Sequence, residues 1–168
     1  NLYVQDGASY GKIEHRDVHI ADIPVNYFVT GITDFIAGVN ETATISSGAY
    51  KDFHAYANSE IHFESGEYYF DSFVVEPDVK VYFDGPVRLW VQNGISIADR
   101  AGLYNSPGGA ENVFLYTNTS GPMYFGVYSD FASILAAPFA SVSLAPRSRW
   151  EGLIWANNIY VQADAVIE

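Results

Sequence analysis

The sequence predicts an all-β fold: a single-stranded right-handed β-helix, or β-solenoid, with three short strands in each coil. From about residue 41, strand-like segments with alternating apolar and polar residues follow one another every six to ten residues or so. The chain is 16% aromatic, and aromatic and β-branched residues favour strands. No segment has the periodicity of an amphipathic helix.

Weak internal repeats favour the solenoid over a β-sandwich. The sequence SSGAY at residues 46–50 recurs as ESGEY at residues 64–68, which is 18 positions later. Residues 133–144 resemble residues 152–161 with an offset of 19, which places Ala137 on Ala156. Three strands in each period of about 20 residues are typical of a coil that buries its apolar side only by stacking on its neighbours. A sandwich is the structural alternative, but it predicts more hairpin dipeptides.

The chain divides into two parts by pattern. Residues 1–40 are irregular and are predicted to form an N-terminal capping or flanking segment. Residues 41–168 are predicted to form the β-helix domain, with Asn93-Gly94 as a turn-like break between two strands.

Alternation along each strand divides the side chains into inward and outward sets. The predicted inward residues are Ile61, Phe63, Phe73, Val75, Val79, Val81, Val87, Leu89, Val91, Ile95, Ile97, Val113, Leu115, Leu135, Val142, Leu144, Ile154, Ile159, Val161 and Val166. The outward set includes aromatic residues, which is unusual for a solvated strand face and indicates a surface that makes contacts.

Composition excludes several classes of partner and chemistry. There are 20 acidic and 8 basic residues, for a net charge of −12, which argues against binding nucleic acid or anionic lipid. No apolar run reaches the length of a membrane span, so membrane insertion is not expected. The absence of cysteine excludes disulfides, thiolate metal sites and cysteine nucleophiles.

The acidic residues do not suggest an active site. Asp71, Asp84 and Asp99 follow strands at turn positions, where aspartate is explained by local hydrogen bonding. A glycosidase needs two carboxylates on either side of the scissile bond, and no such pair is evident. Arg147 and Arg149 are too few to neutralise an acidic glycan. The chain is therefore not expected to be an enzyme, and a polysaccharide-degrading enzyme is the distant alternative.

Histidine spacing does not indicate a metal centre. His15 and His19 are four residues apart in a segment that alternates like a strand, and His54 and His62 are eight apart. No third ligand accompanies either pair, so no cofactor is expected. Weak Ca²⁺ binding by surface carboxylates is favoured over a zinc site, although no acidic loop has a recognised ligand spacing such as that of the EF-hand.

The outward aromatic residues are the candidate binding site. When the sets of three strands that form each coil are aligned, equivalent positions of successive coils are occupied by Trp90, Tyr116, Ala136 and Trp155. Aromatic rings present an apolar face with a polar edge, which suits stacking against sugar rings, and the small Ala136 would leave a recess between them. We therefore predict a polysaccharide-binding strip formed by Trp90, Tyr116 and Trp155. The alternative is that Trp90 and Trp155 pack beneath the first forty residues or against a neighbouring subunit.

The strand pattern also resembles a known family. The stretches GEYYFDSFVVEPDVKVYFDGPVRLWVQNGISIADRAGLYN, ENVFLYTNTSG and ILAAPFASVSLAPRSRWEGLIWANNIYVQADAVI are similar to the bacterial surface β-helix modules of pilus-associated proteins. That family includes the Q-type proteins of mannose-sensitive haemagglutinin pilus biogenesis. The C-terminal part is more distantly similar to bactofilins, which are polymer-forming β-helices. The resemblance covers residues 46–168 and implies a secreted or cell-surface location and a structural or adhesive role.

The last residues raise a second possibility. The chain ends on AVIE directly after a well-formed coil, without a polar cap in the sequence. An open solenoid end exposes strand edges and invites end-to-end stacking into a homo-oligomer. The expected function is thus a non-catalytic extracellular structural or adhesive module that binds polysaccharide. A self-assembling filament or envelope subunit is the alternative.

Overall fold

The computed structural model describes residues 1–11, 28–105 and 108–168. They form a β-solenoid of about seven turns, built from parallel strands, which confirms the predicted fold class. Within these residues, one 3₁₀ turn occupies Ala110–Asn112. The strands are β1 (Leu2–Val4), β2 (Ser9–Tyr10), β3 (Phe35–Ala37), β4 (Thr42–Ile45), β5 (Gly48–Ala49), β6 (Asp52–Ala55), β7 (Glu60–Phe63), β8 (Gly66–Val75), β9 (Lys80–Phe83), β10 (Val87–Ile97), β11 (Gly102–Asn105), β12 (Val113–Thr117), β13 (Pro122–Phe125), β14 (Asp130–Leu144), β15 (Arg149–Val161) and β16 (Val166–Ile167).

The strands stack in register on three faces. The first face contains, in spatial order, β3, β6, the C-terminal parts of β8 and β10, β13, the C-terminal parts of β14 and β15, and β1. The second face contains β4, β7, β9, β11, the N-terminal parts of β14 and β15, β16 and β2. The third face contains β5, the N-terminal parts of β8 and β10, β12, and the middle parts of β14 and β15.

The long strands bend around the corner between the third and first faces. The pairing of β10 with β8 shifts between Val91 and Gly94, and that of β14 with β15 shifts between Ala137 and Ser141. Such an irregularity lets a strand turn without ending. Asn93-Gly94, predicted as a break, therefore lies at a corner within one continuous strand.

In the part of the chain that the structure describes, every turn from the first face to the second has the same backbone geometry. The third residue after the end of the first-face strand has a left-handed backbone conformation, with φ between 57° and 82°. The eight residues are Gly7, Asn40, Asn58, Asp78, Arg100, Tyr128, Arg147 and Asp164. From Asn40 onward they are separated by 18, 20, 22, 28, 19 and 17 residues, which is the true period of the fold. The longest interval accommodates the 3₁₀ turn, and this variation explains why the sequence repeat is weak.

The core is a continuous apolar column, as alternation predicts. Of the predicted inward residues, all are buried except Ile154 and Ile159, which are partly buried near one end, and Val166. The prediction for Val166 is wrong, because its register partner is the exposed Arg149 on the outward side. Ile167 takes the inward position beneath Trp150. The two-residue strand β16 is too short for alternation to decide which residue faces inward.

The first forty residues contribute strands at both ends of the solenoid. β1 pairs with β15 and β2 pairs with β16, while β3 lies in the first turn. The division predicted at residue 41 therefore does not coincide with a structural boundary. The AVIE end expected to be open is instead covered on its β16 edge by residues of the N-terminus.

Replacement of Asn58 tests the left-handed turn. Asn58 is exposed and has φ of 60°. We expect Asn58→Val to lower the free energy of unfolding by about 1–2 kcal/mol, because a β-branched residue clashes with its own carbonyl in this conformation. Urea denaturation measures the change. Asn58→Gly is the matched control and should remain close to the parent; equal losses in both variants would contradict the assignment.

Truncation of Trp150 tests the packing of the apolar column. Its indole is fully buried between Phe125 and Phe131, and its Nε1 donates to the Ser133 carbonyl at 3.1 Å. Trp150→Ala should cost about 3–5 kcal/mol, since the cavity cannot close in a stacked fold. Trp150→Phe keeps most of the volume and should cost less. A loss below about 1 kcal/mol for the alanine variant would be inconsistent with this packing.

Candidate functional site: the outward aromatic columns

The aromatic column predicted from the sequence is present in register. Trp90 pairs with Tyr116, Tyr116 with Ala136, and Ala136 with Trp155. Tyr69 precedes Trp90 in the same column. This third-face column therefore follows the outward side of five successive rungs.

Most of the third-face column is covered, however. Phe28 lies against Tyr69 and Trp90, with ring centroids 5.8 and 6.2 Å apart respectively. Tyr116 is 3% exposed and Ala136 is 4% exposed, so the predicted recess is closed. Phe28 belongs to the first forty residues, so Trp90 adopts the packed arrangement that the sequence left as the alternative.

Trp155 is the exposed member of the predicted site. It is 38% exposed, and Leu153 beside it on β15 is more exposed still. Leu153 continues a second apolar row on the same face through Ile134 to Phe114. The third face therefore presents an exposed apolar surface at the β15 end of the solenoid, formed by Leu153 and Trp155.

A second aromatic column lies on the first face and was not predicted. Tyr124, Tyr160 and Tyr3 are 47%, 40% and 49% exposed. Ser143 separates Tyr124 from Tyr160 by one rung, and Tyr3 lies on the next rung after Tyr160. The rings of Tyr3 and Tyr160 are parallel to within 9°, with centroids 4.7 Å apart. Together they form one flat aromatic platform.

Sequence reasoning missed this first-face column because its members are far apart in the chain. Tyr3 reaches the column only through the pairing of β1 with β15. One signal was available: the turn QDGA at residues 5–8 matches QADA at residues 162–165, the turn over which it stacks. That likeness indicates that the N-terminus is a further coil.

Ordered amide side chains accompany the tyrosines. Gln162 Nε2 donates to Ser143 Oγ at 2.8 Å, and Asn158 Nδ2 donates to Ser141 Oγ at 3.1 Å. Asn1 Nδ2 in turn donates to Asn158 Oδ1 at 3.0 Å. An amide has two donors and two acceptor lone pairs, so these groups retain hydrogen-bonding capacity toward a polar ligand.

Basic side chains are largely neutralised by neighbouring acids. In the described part of the chain, Lys51, Arg88, Arg100, Arg147 and Arg149 each lie within 4.0 Å of a carboxylate. Arg100 contacts Asp78 through two hydrogen bonds of 2.7 Å. With a net charge of −12, these pairs leave little basic surface for an anionic ligand.

The candidate catalytic carboxylates do not come together. Asp71 Oδ1 accepts from Asn93 at 2.6 Å, and Asp99 Oδ1 accepts from the Val127 amide at 2.9 Å. Asp84 contacts His62 Nδ1 at 3.2 Å. The three residues occupy three different corners of the solenoid, each with a local structural partner.

The histidines bind acids rather than one another. His54 contacts Glu76 at 3.0 Å, while His62 lies between Glu60 and Asp84, both at 3.2 Å. Across residues 1–11, 28–105 and 108–168, no three His, Asp or Glu side chains are placed to hold a metal ion. His15 and His19 lie outside the described residues.

Comparison with known proteins adds no assignment. No protein-family model, curated protein or solved structure matches the chain. The similarity to surface β-helix modules and bactofilins therefore depends on the sequence motifs alone. Within the part of the chain that the structure describes, no helix has the length and apolar character needed to span a membrane.

The His62 cluster predicts a dependence of stability on pH. Hydrogen bonding to Glu60, and then to Asp84, raises the pKa of His62 above 6.5, although burial opposes the shift. A raised pKa in the folded state means that protonated His62 stabilises the fold. This stabilisation is complete below the unfolded pKa and disappears as the pH rises through the folded one.

We therefore expect the free energy of unfolding to fall as the pH rises from the unfolded pKa of histidine, about 6.5, through the raised folded pKa of His62. The fall should be shallower in His62→Gln, which cannot become charged. Urea titrations of both proteins at several pH values measure the difference. Parallel pH profiles would show that the His62 cluster does not contribute.

Proposed function

We propose that this protein is a non-catalytic recognition module, structural or adhesive in role, that binds a neutral polysaccharide at the cell surface. The observation that carries the proposal is the exposed aromatic surface at the β15 end of the solenoid. It comprises the platform of Tyr3 and Tyr160 on the first face, with Tyr124 further along, and Trp155 on the third face.

Ring stacking supplies the main attraction. The C–H surfaces of a sugar ring are apolar and pack against an aromatic face, while its hydroxyls stay hydrated or form hydrogen bonds. Strands in adjacent rungs are about 4.8 Å apart, so Tyr124 and Tyr160 lie roughly 10 Å apart along the solenoid axis. Rings at such intervals suit a long chain of sugars that lies along that axis.

The polar groups favour an uncharged glycan. The amides of Gln162 and Asn158 lie beside the tyrosines and can pair with hydroxyl groups. An anionic glycan would meet a strongly acidic protein whose described arginines are mostly paired. Electrostatic repulsion would therefore weaken uronic-acid or sulfated chains relative to neutral ones.

The positions of the acidic residues support the non-catalytic role, and the family resemblance supports the surface location. The separation of Asp71, Asp84 and Asp99 favours recognition over hydrolysis, because glycosidase carboxylates must face each other across one bond. The surface location is supported by the resemblance to pilus-associated β-helix modules, in which structural and adhesive roles are typical.

Binding to a panel of soluble and insoluble polysaccharides tests the proposal. The parent should bind at least one neutral glycan. Binding should fall about fivefold in Trp155→Ala and about tenfold or more in Tyr3→Ala/Tyr160→Ala, since each stacked ring contributes on the order of 1 kcal/mol. Circular dichroism establishes that each variant remains folded.

Tyr56→Ala is the matched control. Tyr56 is similarly exposed but stacks on His54 in a turn outside both columns. Its replacement should leave binding unchanged. Failure of the parent to bind any glycan, or equal binding by the parent and both column variants, would contradict the proposal.

A further inference from the structure

Residues 1–11 lie at one end of the solenoid, beside β15 and β16, and β3 lies at the opposite end. β1 adds to the first face beside β15, with Leu2 opposite Ile159 and Val4 opposite Val161. β2 adds to the second face beside β16. All strand pairs here are parallel, as in the rest of the fold.

The N-terminal segment fits this position closely. Leu2 and Val4 continue the inward positions of Ile159 and Val161, with Leu2 packed on the core and Val4 40% exposed at the end of the column. Ala8 follows the fully buried Ala165 of the preceding turn. Gly7 takes the left-handed position, where a Cβ atom would lie 2.4 Å from Asp164 Oδ1. Glycine at residue 7 therefore lets this turn stack on the last one without displacing the Asp164 side chain.

The N-terminal segment covers one edge of β15 and β16. Val161 and Ala165 are fully buried or nearly so beneath the N-terminal segment. Backbone groups of the same region bond to it: the Gln5 amide donates to the Val161 carbonyl, and the Ser9 amide to the Ala165 carbonyl, both at 2.9 Å. Without residues 1–11, this surface would be an open parallel strand edge with exposed core residues. We call this edge of β15 and β16 the strand seat.

Among the described residues, the N-terminal segment is joined to the rest of its chain at the strand seat alone. Its strand pairs, hydrogen bonds and ring contacts in the described structure join it to residues 157–167 alone. Sixteen residues of sequence separate Gly11 from Phe28. A stretch of that length can reach at most about 55 Å, which is enough to serve either its own strand seat or that of an adjacent copy.

From this geometry we infer that the strand seat accepts residues 1–11 of a second copy of the chain. The strand seat pairs with the backbone of β1 and β2, and it contacts Leu2, Val4 and the turn at Gly7. These features are identical in every copy of the chain. Exchange of such a segment is β-strand addition between subunits, and it needs no contact beyond those already present. Successive donations would join copies through their ends into a homo-oligomer.

Cysteine pairs report such an exchange directly, because the chain has no cysteine of its own. Tyr3 and Tyr160 are exposed register partners. One chain carries Tyr3→Cys, a second chain of different tagged mass carries Tyr160→Cys, and the two are mixed at high concentration and mildly oxidised. The expected product is a disulfide-linked dimer that contains one chain of each mass. In the control, Tyr124→Cys replaces Tyr160→Cys; this exposed position is three rungs from β1 and should give no mixed product.

The oligomeric state gives a second measurement. Light scattering after size exclusion should find oligomers of the parent chain that become monomers in Leu2→Asp/Val4→Asp, which places two carboxylates at inward positions. Gln92→Asp/Ser96→Asp adds the same charge at exposed positions and should leave the oligomers intact. Absence of the mixed disulfide, or oligomers that persist in Leu2→Asp/Val4→Asp, would each overturn the inference. Glycan binding is measured separately through Trp155→Ala, which leaves the strand seat unchanged.

Discussion

The left-handed residue in each turn is the constraint on which the rest of the structure depends. It brings the chain from the first face to the second with the same geometry in eight successive turns. Backbone amides at these positions bond to the next turn, as from Asn58 to the Pro77 carbonyl and from Asp78 to the Asp99 carbonyl. Because the turns stack, the strands on either side of them keep one register through the whole fold.

Constant register converts a weak sequence repeat into continuous columns of side chains. Inward columns become the core, in which the rings of Phe35, Phe53 and Phe73 stack on successive rungs. Outward columns become either ion-paired surfaces, such as that of Asp78 with Arg100, or aromatic ones. The surface proposed to bind glycan is thus a direct product of the same geometry that builds the core, and it can extend only along the solenoid axis.

The N-terminus links the proposed site to the proposed assembly. Tyr3 belongs both to the aromatic platform with Tyr160 and to the strand that fills the strand seat. When a second copy donates that strand, the platform is shared between two chains. Assembly and recognition would then reinforce each other, since neighbouring copies bring several platforms onto one polymer and raise the effective concentration of sites.

The sequence by itself determined the fold class, the inward residues and the alignment of Trp90, Tyr116, Ala136 and Trp155, because alternation and period are local properties of each strand. It could not determine that Phe28 covers Trp90, or that Tyr3 stacks on Tyr160. Nor could it place Val166, since a two-residue strand carries no alternation. Exposure depends on which distant segment packs on a face, and those pairings, up to 158 residues apart in sequence, arise only in the tertiary structure.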